Sequence, residues 1–191
     1  MVQKLEQRKK LKLLLKRKCN LSVNIALTGT PGTGKTSLSS KFDCNLVSIN
    51  DYYAEISNGK DEEDNWLIDL EKLNEIIVTK NHSNTIFEGH VAHFLKNIDK
   101  IIVLRCHPEQ LKKRLSSRNY SDEKIRENME AEALNIICEE AIESYDEKNV
   151  FEIDTSTMTI EESIEKLKNI MNGNIKSNKR IDYSETIMDW Y

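Results

Sequence analysis

Gly29-Thr30-Pro31-Gly32-Thr33-Gly34-Lys35-Thr36 is the stretch on which the reading of this chain turns. It fits G-x-x-x-x-G-K-[ST], a loop whose backbone N–H groups cradle phosphate oxygens. The flanks agree. Val23-Asn24-Ile25-Ala26-Leu27 before it reads as a short buried strand, and Ser37-Leu38-Ser39-Ser40-Lys41-Phe42 after it as the opening turns of a helix. Strand, loop and helix in that order are the context the motif needs. Gly32 and Gly34 let the backbone approach an anion where a Cβ would intrude. Lys35 is expected at the β/γ-phosphates, and the Thr36 hydroxyl on Mg²⁺.

Outward from this loop, apolar strands alternate with helical patterns. Strands are expected at 22–27, 45–49, 84–88, 100–105 and 150–153, each short and rich in Val, Ile, Leu or Phe. Helices are expected at 35–42, 69–79, 108–117, 121–145 and 159–171; Thr159-x-x-Glu162 has the form of a capping box. Such alternation predicts an α/β fold: a three-layer α/β/α P-loop NTPase core with a five-stranded parallel sheet. Two segments depart from it. Residues 50–68 are polar and acidic and read as a mobile flap rather than core. Residues 172–191 form a polar tail ending Asp189-Trp190-Tyr191, suited to docking on the body or on a partner, or else a disordered end. The expected organisation is therefore a basic extension at 1–20, a core at 21–171 with a lid near 116–127, and the tail.

The 191 residues suffice for one core. Hydrophobic residues are 38% and charged residues 31%, which suits a solvated, helix-rich surface. No apolar run approaches the roughly 20 residues that span a bilayer, so no membrane partner is expected. The basic start lacks an apolar segment with a cleavage site, so no signal peptide is expected. The cysteines, Cys19, Cys44, Cys106 and Cys138, form no C-x-x-C pair, which suits reduced thiols in the cytoplasm. Residues 1–20 hold eight basic residues against Glu6 alone, while the whole chain is net −4. A basic arm on an acidic body is suited to RNA or another polyanion, or is simply a solvated helix.

Glu88 closes the strand Thr85-Ile86-Phe87-Glu88 and is followed by Gly89-His90. An acid at the end of a strand near a phosphate loop can hold Mg²⁺ directly or through water. Asp51, after the second strand, is the other candidate. His90 could orient a water or a phosphate oxygen. His90 and His93 are spaced i, i+3, but no third ligand accompanies them. Arg114 and Arg118 end one helix, and Arg126 begins the next. They suit a lid that covers a moving phosphoryl group and excludes water.

Together these features resemble the small archaeal and eukaryotic adenylate kinase family, whose eukaryotic member is the nuclear-type, broad-specificity nucleoside monophosphate kinase. The resemblance rests on Gly29–Ser37, Glu88-Gly89-His90, Val103-Leu104-Arg105, Arg114-Leu115 and Arg118-Asn119-Tyr120. Glu139-Glu140-Ala141, Ser144-Tyr145 and Ile181-Asp182-Tyr183-Ser184-Glu185 extend it to about residues 22–190. It implies a nucleoside monophosphate kinase fold and Mg²⁺-dependent transfer between ATP and AMP giving two ADP, with a slow ATPase. It also implies a role in small ribosomal subunit maturation through a ribosomal platform protein. Carried onto this chain, Gly32, Gly34, Lys35, Thr36 and Ser37 bind ATP, Arg118 is the lid arginine, Glu88 is the metal-linked acid, and His90 serves hydrolysis. One departure stands out. No arginine lies between Ser37 and Phe87, although a planar guanidinium suits an acceptor phosphate. Lys41, Lys60, Lys72 and Lys80, or Arg105 from the adjoining strand, are left for that role. An ATPase assembly factor with little acceptor activity, or a small-metabolite kinase, is therefore the alternative. A GTPase is disfavoured, because no Asn-Lys-x-Asp motif occurs.

Overall fold

A computed structural model describes residues 23–190 apart from 43, 63–64, 80–83, 119, 177–178 and 189. The basic arm, Cys19 and Lys80 lie outside the described residues.

Five strands form one sheet: β1 (Ile25–Thr28), β2 (Asn45–Ser48), β5 (Thr85–Glu88), β6 (Lys100–Arg105) and β7 (Val150–Asp154). Their order is β2-β5-β1-β6-β7, and every pairing is parallel. The central strands are apolar on both faces, because helices cover both. Ala26, Phe87, Ile101 and Val103 face one side, packed with Leu73 of α3 (Leu70–Thr79) and with Cys138 and Ala141 of α6 (Ile136–Ser144). Ile25, Leu27, Ile86, Ile102 and Leu104 face the other, with Leu38 of α1 (Lys35–Ser39) and Leu167 and Ile170 of α7 (Ile160–Met171). The expected three layers are present. Thr159 and Glu162 cap α7 reciprocally, as their spacing predicts. Among the described residues no helix is long and apolar enough to cross a membrane.

Two expectations change, and the alternatives left open for the tail are resolved. The flap is folded. After a 3₁₀ turn (Ile49–Tyr52) come α2 (Tyr53–Ile56) and an antiparallel pair, β3 (Ser57–Lys60) with β4 (Trp66–Ile68). Ile49 and Ile56 are fully buried and anchor this polar segment in the core. The helix expected over 121–145 is two: α5 (Asp122–Ala133), following α4 (Pro108–Ser116), and then α6. They are separated by Asn135 at φ +59°, a left-handed conformation that asparagine tolerates. The break lets Asn135 Oδ1 accept a hydrogen bond from Arg105. Finally, the tail docks on the body and includes a short turn of helix, α8 (Glu185–Met188). The Tyr183 ring meets the His107 ring edge-on and lies under the Arg105 guanidinium. Trp190 packs on Leu111 and Leu115 of α4 and Ile125 and Met129 of α5.

Candidate active site

β1 lies between β5 and β6, where the strand order reverses, and its carboxyl end leads directly into the glycine loop. That is the place where parallel α/β sheets bind ligands. The loop depends on its glycines. Gly32 has φ +92°, and a Cβ there would stand 2.8 Å from Leu111 Cδ1 and 2.9 Å from Leu115 Cδ2. Gly34 has φ +103° and no side chain caps α1 after it, so the first amides of the helix open on the cavity beside them.

The Lys35 ammonium donates to the carbonyls of Gly29 (2.5 Å) and Thr30 (3.1 Å) inside the loop. Burial lowers its pKa to about 8, against the opposing pull of Glu88 and Glu132; Arg118 lowers it further. The Thr36 hydroxyl donates to Glu88 Oε1 (2.9 Å), and Ser39, one turn further on, donates to Glu88 Oε2 (2.7 Å). Parallel pairing of β1 with β5 sets Leu27 opposite Glu88 and so puts this buried carboxylate beside the loop. The carboxylate and hydroxyl together form the hard oxygen pair that Mg²⁺ prefers. Nothing in the sequence marks Ser39 for this role except its i, i+3 spacing from Thr36.

His90 Nδ1 pairs with the Tyr53 hydroxyl at 2.8 Å. Burial, then Lys35 and Lys124, lowers the imidazole to about 4, so it is neutral at ordinary pH. His93 points elsewhere. It is buried between the Thr28 hydroxyl (3.0 Å) and Glu140 (3.1 Å), and the i, i+3 pair is split between two environments.

One cavity of about 580 Å³ gathers these groups. Lys35, Thr36 and Glu88 form one wall. Asn50, Tyr53, Asn65 and Trp66 of the folded flap also line the cavity. Arg118, Tyr120, Lys124 and Asn128 close it from the lid side. A smaller cavity of about 250 Å³ adjoins it, lined by Gly34, Ser37, Leu38, Arg114, Met158 and Ile160, and Arg118 borders both.

The remaining candidates do not line the larger cavity. Arg114 braces the loop from behind, donating to the Thr155 carbonyl (2.6 Å) and hydroxyl (3.1 Å), while the Thr155 hydroxyl lies 2.9 Å from the Thr33 carbonyl. Arg126 pairs with Glu130 on the exposed face of α5. Asp51 is exposed on the 3₁₀ turn and does not line the cavity. Arg105 is 2% exposed and held by the buried carboxylates of Glu132 and Glu152, so it is structural and does not reach an acceptor phosphate.

A family model described as an AAA domain matches residues 25–135. A Methanococcus maripaludis protein named "Putative adenylate kinase" is 42% identical over 173 residues, covering 79% of this chain and 93% of its own length. An Archaeoglobus fulgidus protein of the same name is 42% identical over 172 residues, covering 87% and 90%. Among solved structures, shikimate kinase from Bacteroides thetaiotaomicron superposes with a TM-score of 0.53 at 18% identity, covering 78% of this chain and 98% of that one. Thymidylate kinase from Candida albicans superposes at 0.51 and 14% identity, covering 81% and 92%. At that distance the two structures establish the P-loop kinase fold. The archaeal relatives, alike over nearly their whole length, establish more: the chain belongs to the small adenylate kinase family of phosphotransferases.

Proposed function

We propose that the chain transfers a phosphoryl group from ATP to a nucleoside monophosphate, AMP foremost, giving two nucleoside diphosphates. The observation that carries this reading is one cavity lined by Lys35, Thr36 and Glu88 of the loop and sheet, by the folded flap, and by Arg118 and Lys124 of the lid. A cavity of that size has room for two phosphate groups facing each other. Gly32, Gly34, Lys35, Thr36 and Ser37 bind the ATP phosphates, and Lys35 exchanges its two loop carbonyls for phosphate oxygens. Thr36 and Glu88 hold Mg²⁺, which screens the charge on the transferred group. Arg118 and Lys124 place positive charge where negative charge develops. The smaller cavity, with Leu38, Met158 and Ile160, takes the adenine of ATP. The test is coupled ADP production from ATP against a panel of monophosphates and small hydroxylated metabolites. Turnover only with a metabolite, or with no acceptor at all, removes the monophosphate reading.

A second reading is favoured by His90. A neutral imidazole fixed by Tyr53 at the cavity wall is suited to orienting water as the acceptor, and no arginine from the flap competes for it. ATP hydrolysis would then accompany phosphoryl transfer. His90→Ala should lower hydrolysis at least tenfold more than it lowers ATP affinity. Loss of ATP binding with hydrolysis per bound ATP unchanged would refute that role. The part in ribosomal subunit maturation belongs with this reading. A pull-down that recovers no small-subunit protein, with and without ATP, would remove it.

A further inference from the structure

We propose that residues Arg180–Met188 together with Trp190 form a strap that positions the phosphate loop and the lid, with Arg180, Ile181 and Trp190 as positioning residues. The inference rests on the phosphoryl-transfer reading of the cavity. Two independent routes lead from this segment to the loop.

The first is a chain of hydrogen bonds through buried charge. The Ile181 amide donates to Glu152 Oε2 (3.2 Å), and its carbonyl accepts from Arg105 Nη1 (3.1 Å). Arg105 also binds Glu152, and its Nε donates to Glu132 Oε1 at 2.7 Å. The other oxygen of Glu132 accepts from the Thr30 hydroxyl, inside the loop. Two carboxylates that are at most 2% exposed thus face one buried guanidinium. The strap brings a second cation: Arg180 Nη1 stands 3.6 Å from Glu152 Oε2. Buried charges keep their geometry when they are paired and hydrogen-bonded on every side. Thr30 therefore sits at the end of a relay whose other end is the strap.

The second route is apolar. Trp190 packs on the cluster of Cys106, Leu111, Leu115, Ile125 and Met129, which joins α4 to α5. The turn between those helices carries Arg118, whose amide bonds the Leu115 carbonyl at 2.9 Å. Leu111 and Leu115 are also the side chains against which Gly32 is seated. One indole thus clamps the two lid helices and backs the loop. Misplacing a group by about 1 Å can cost a hundredfold in rate, so a loosened clamp should be visible in turnover.

The test uses the full-length protein with Trp190→Ala, Trp190→Phe, Arg180→Gln and Arg180→Lys. Met188→Ala is the control, because that side chain is 81% exposed. Far-UV circular dichroism and thermal melting report folding. ATP affinity with Mg²⁺ is measured by calorimetry, separately from kcat and KM. Trp190→Ala should lower kcat about tenfold while KM for ATP changes less than threefold, and Trp190→Phe should restore most of the loss. Arg180→Gln should weaken ATP binding about fivefold, and Arg180→Lys, which keeps the charge but not the forked reach, should recover part of it. Met188→Ala should match the wild type. Folded Trp190→Ala and Arg180→Gln proteins with wild-type kcat and ATP affinity would overturn the strap. If Trp190→Ala does not fold, Trp190→Phe and the Arg180 pair decide. A wild type that binds ATP but transfers nothing refutes the kinase reading alone, and the strap is then judged on ATP affinity.

Discussion

Replacing Arg105 by methionine separates two readings of one residue. The sequence offers it as a clamp for an acceptor phosphate. The structure buries it between Glu132 and Glu152, which are 2% and 0% exposed. Methionine has similar bulk and no charge. Both carboxylates would stay in the interior without the cation that balances them. Breaking one side of a buried ion pair costs about 3–5 kcal/mol. For a domain of this size that lowers Tm by about 10 °C. Thermal and urea melts at pH 7 measure the loss. Arg105→Met combined with Glu152→Met should be more stable than Arg105→Met alone. A variant within about 1 kcal/mol of wild type at pH 7, with KM for the monophosphate raised tenfold or more, would refute this reasoning in favour of the clamp.

Further outcomes follow from the site. Lys35, with a free pKa of about 8, should gain a proton when ATP phosphates bind at pH 9; calorimetry in buffers of different ionisation enthalpy should record uptake of close to one proton, and none would refute the contact. Lys35→Met should abolish turnover. Glu88→Gln keeps the shape of the buried side chain but puts an amide against the Thr36 or Ser39 hydroxyl; the Mg²⁺ concentration for half-maximal activity should rise about 10–100-fold, and an unchanged Mg²⁺ dependence would sink the assignment. Gly32→Ala forces a methyl to within 3 Å of Leu111 and Leu115 at a positive φ and should cost about 1–3 kcal/mol together with most ATP affinity; wild-type binding by calorimetry would disprove the tight seat.

What was legible in the sequence was what local patterns encode. Short apolar runs and 3.6-residue spacing placed the five strands and most helices, since each needs only its own residues to show which faces are buried. Patterns with competing interpretations misled. The flap looked solvated because its polar residues outnumber Ile56, its fully buried anchor, while Ile49, the other anchor, reads as the end of the preceding strand. The break at Asn135 was hidden because helical spacing continues across it, and only the reach of Asn135 to Arg105 explains the turn.

The candidate site divides the same way. The residues within one loop, Gly32 to Ser37, could be read as a unit because backbone amides, lysine and hydroxyl act at fixed short separations. Glu88 and His90 could be picked out by chemistry, but their partners could not. Ser39 and Tyr53 meet them only because parallel pairing of β5 beside β1 sets the carboxylate next to α1, and because the flap folds back over the strand ends. The fate of the arginines lay furthest from local information. A guanidinium looks the same in a sequence whether it meets a phosphate, as proposed for Arg118, or two buried glutamates, as for Arg105. The fold class and the phosphate loop are readable from residue order because both are written in short-range spacing. Which charges face the cavity and which serve the interior is not, because burial and pairing arise between segments tens of residues apart.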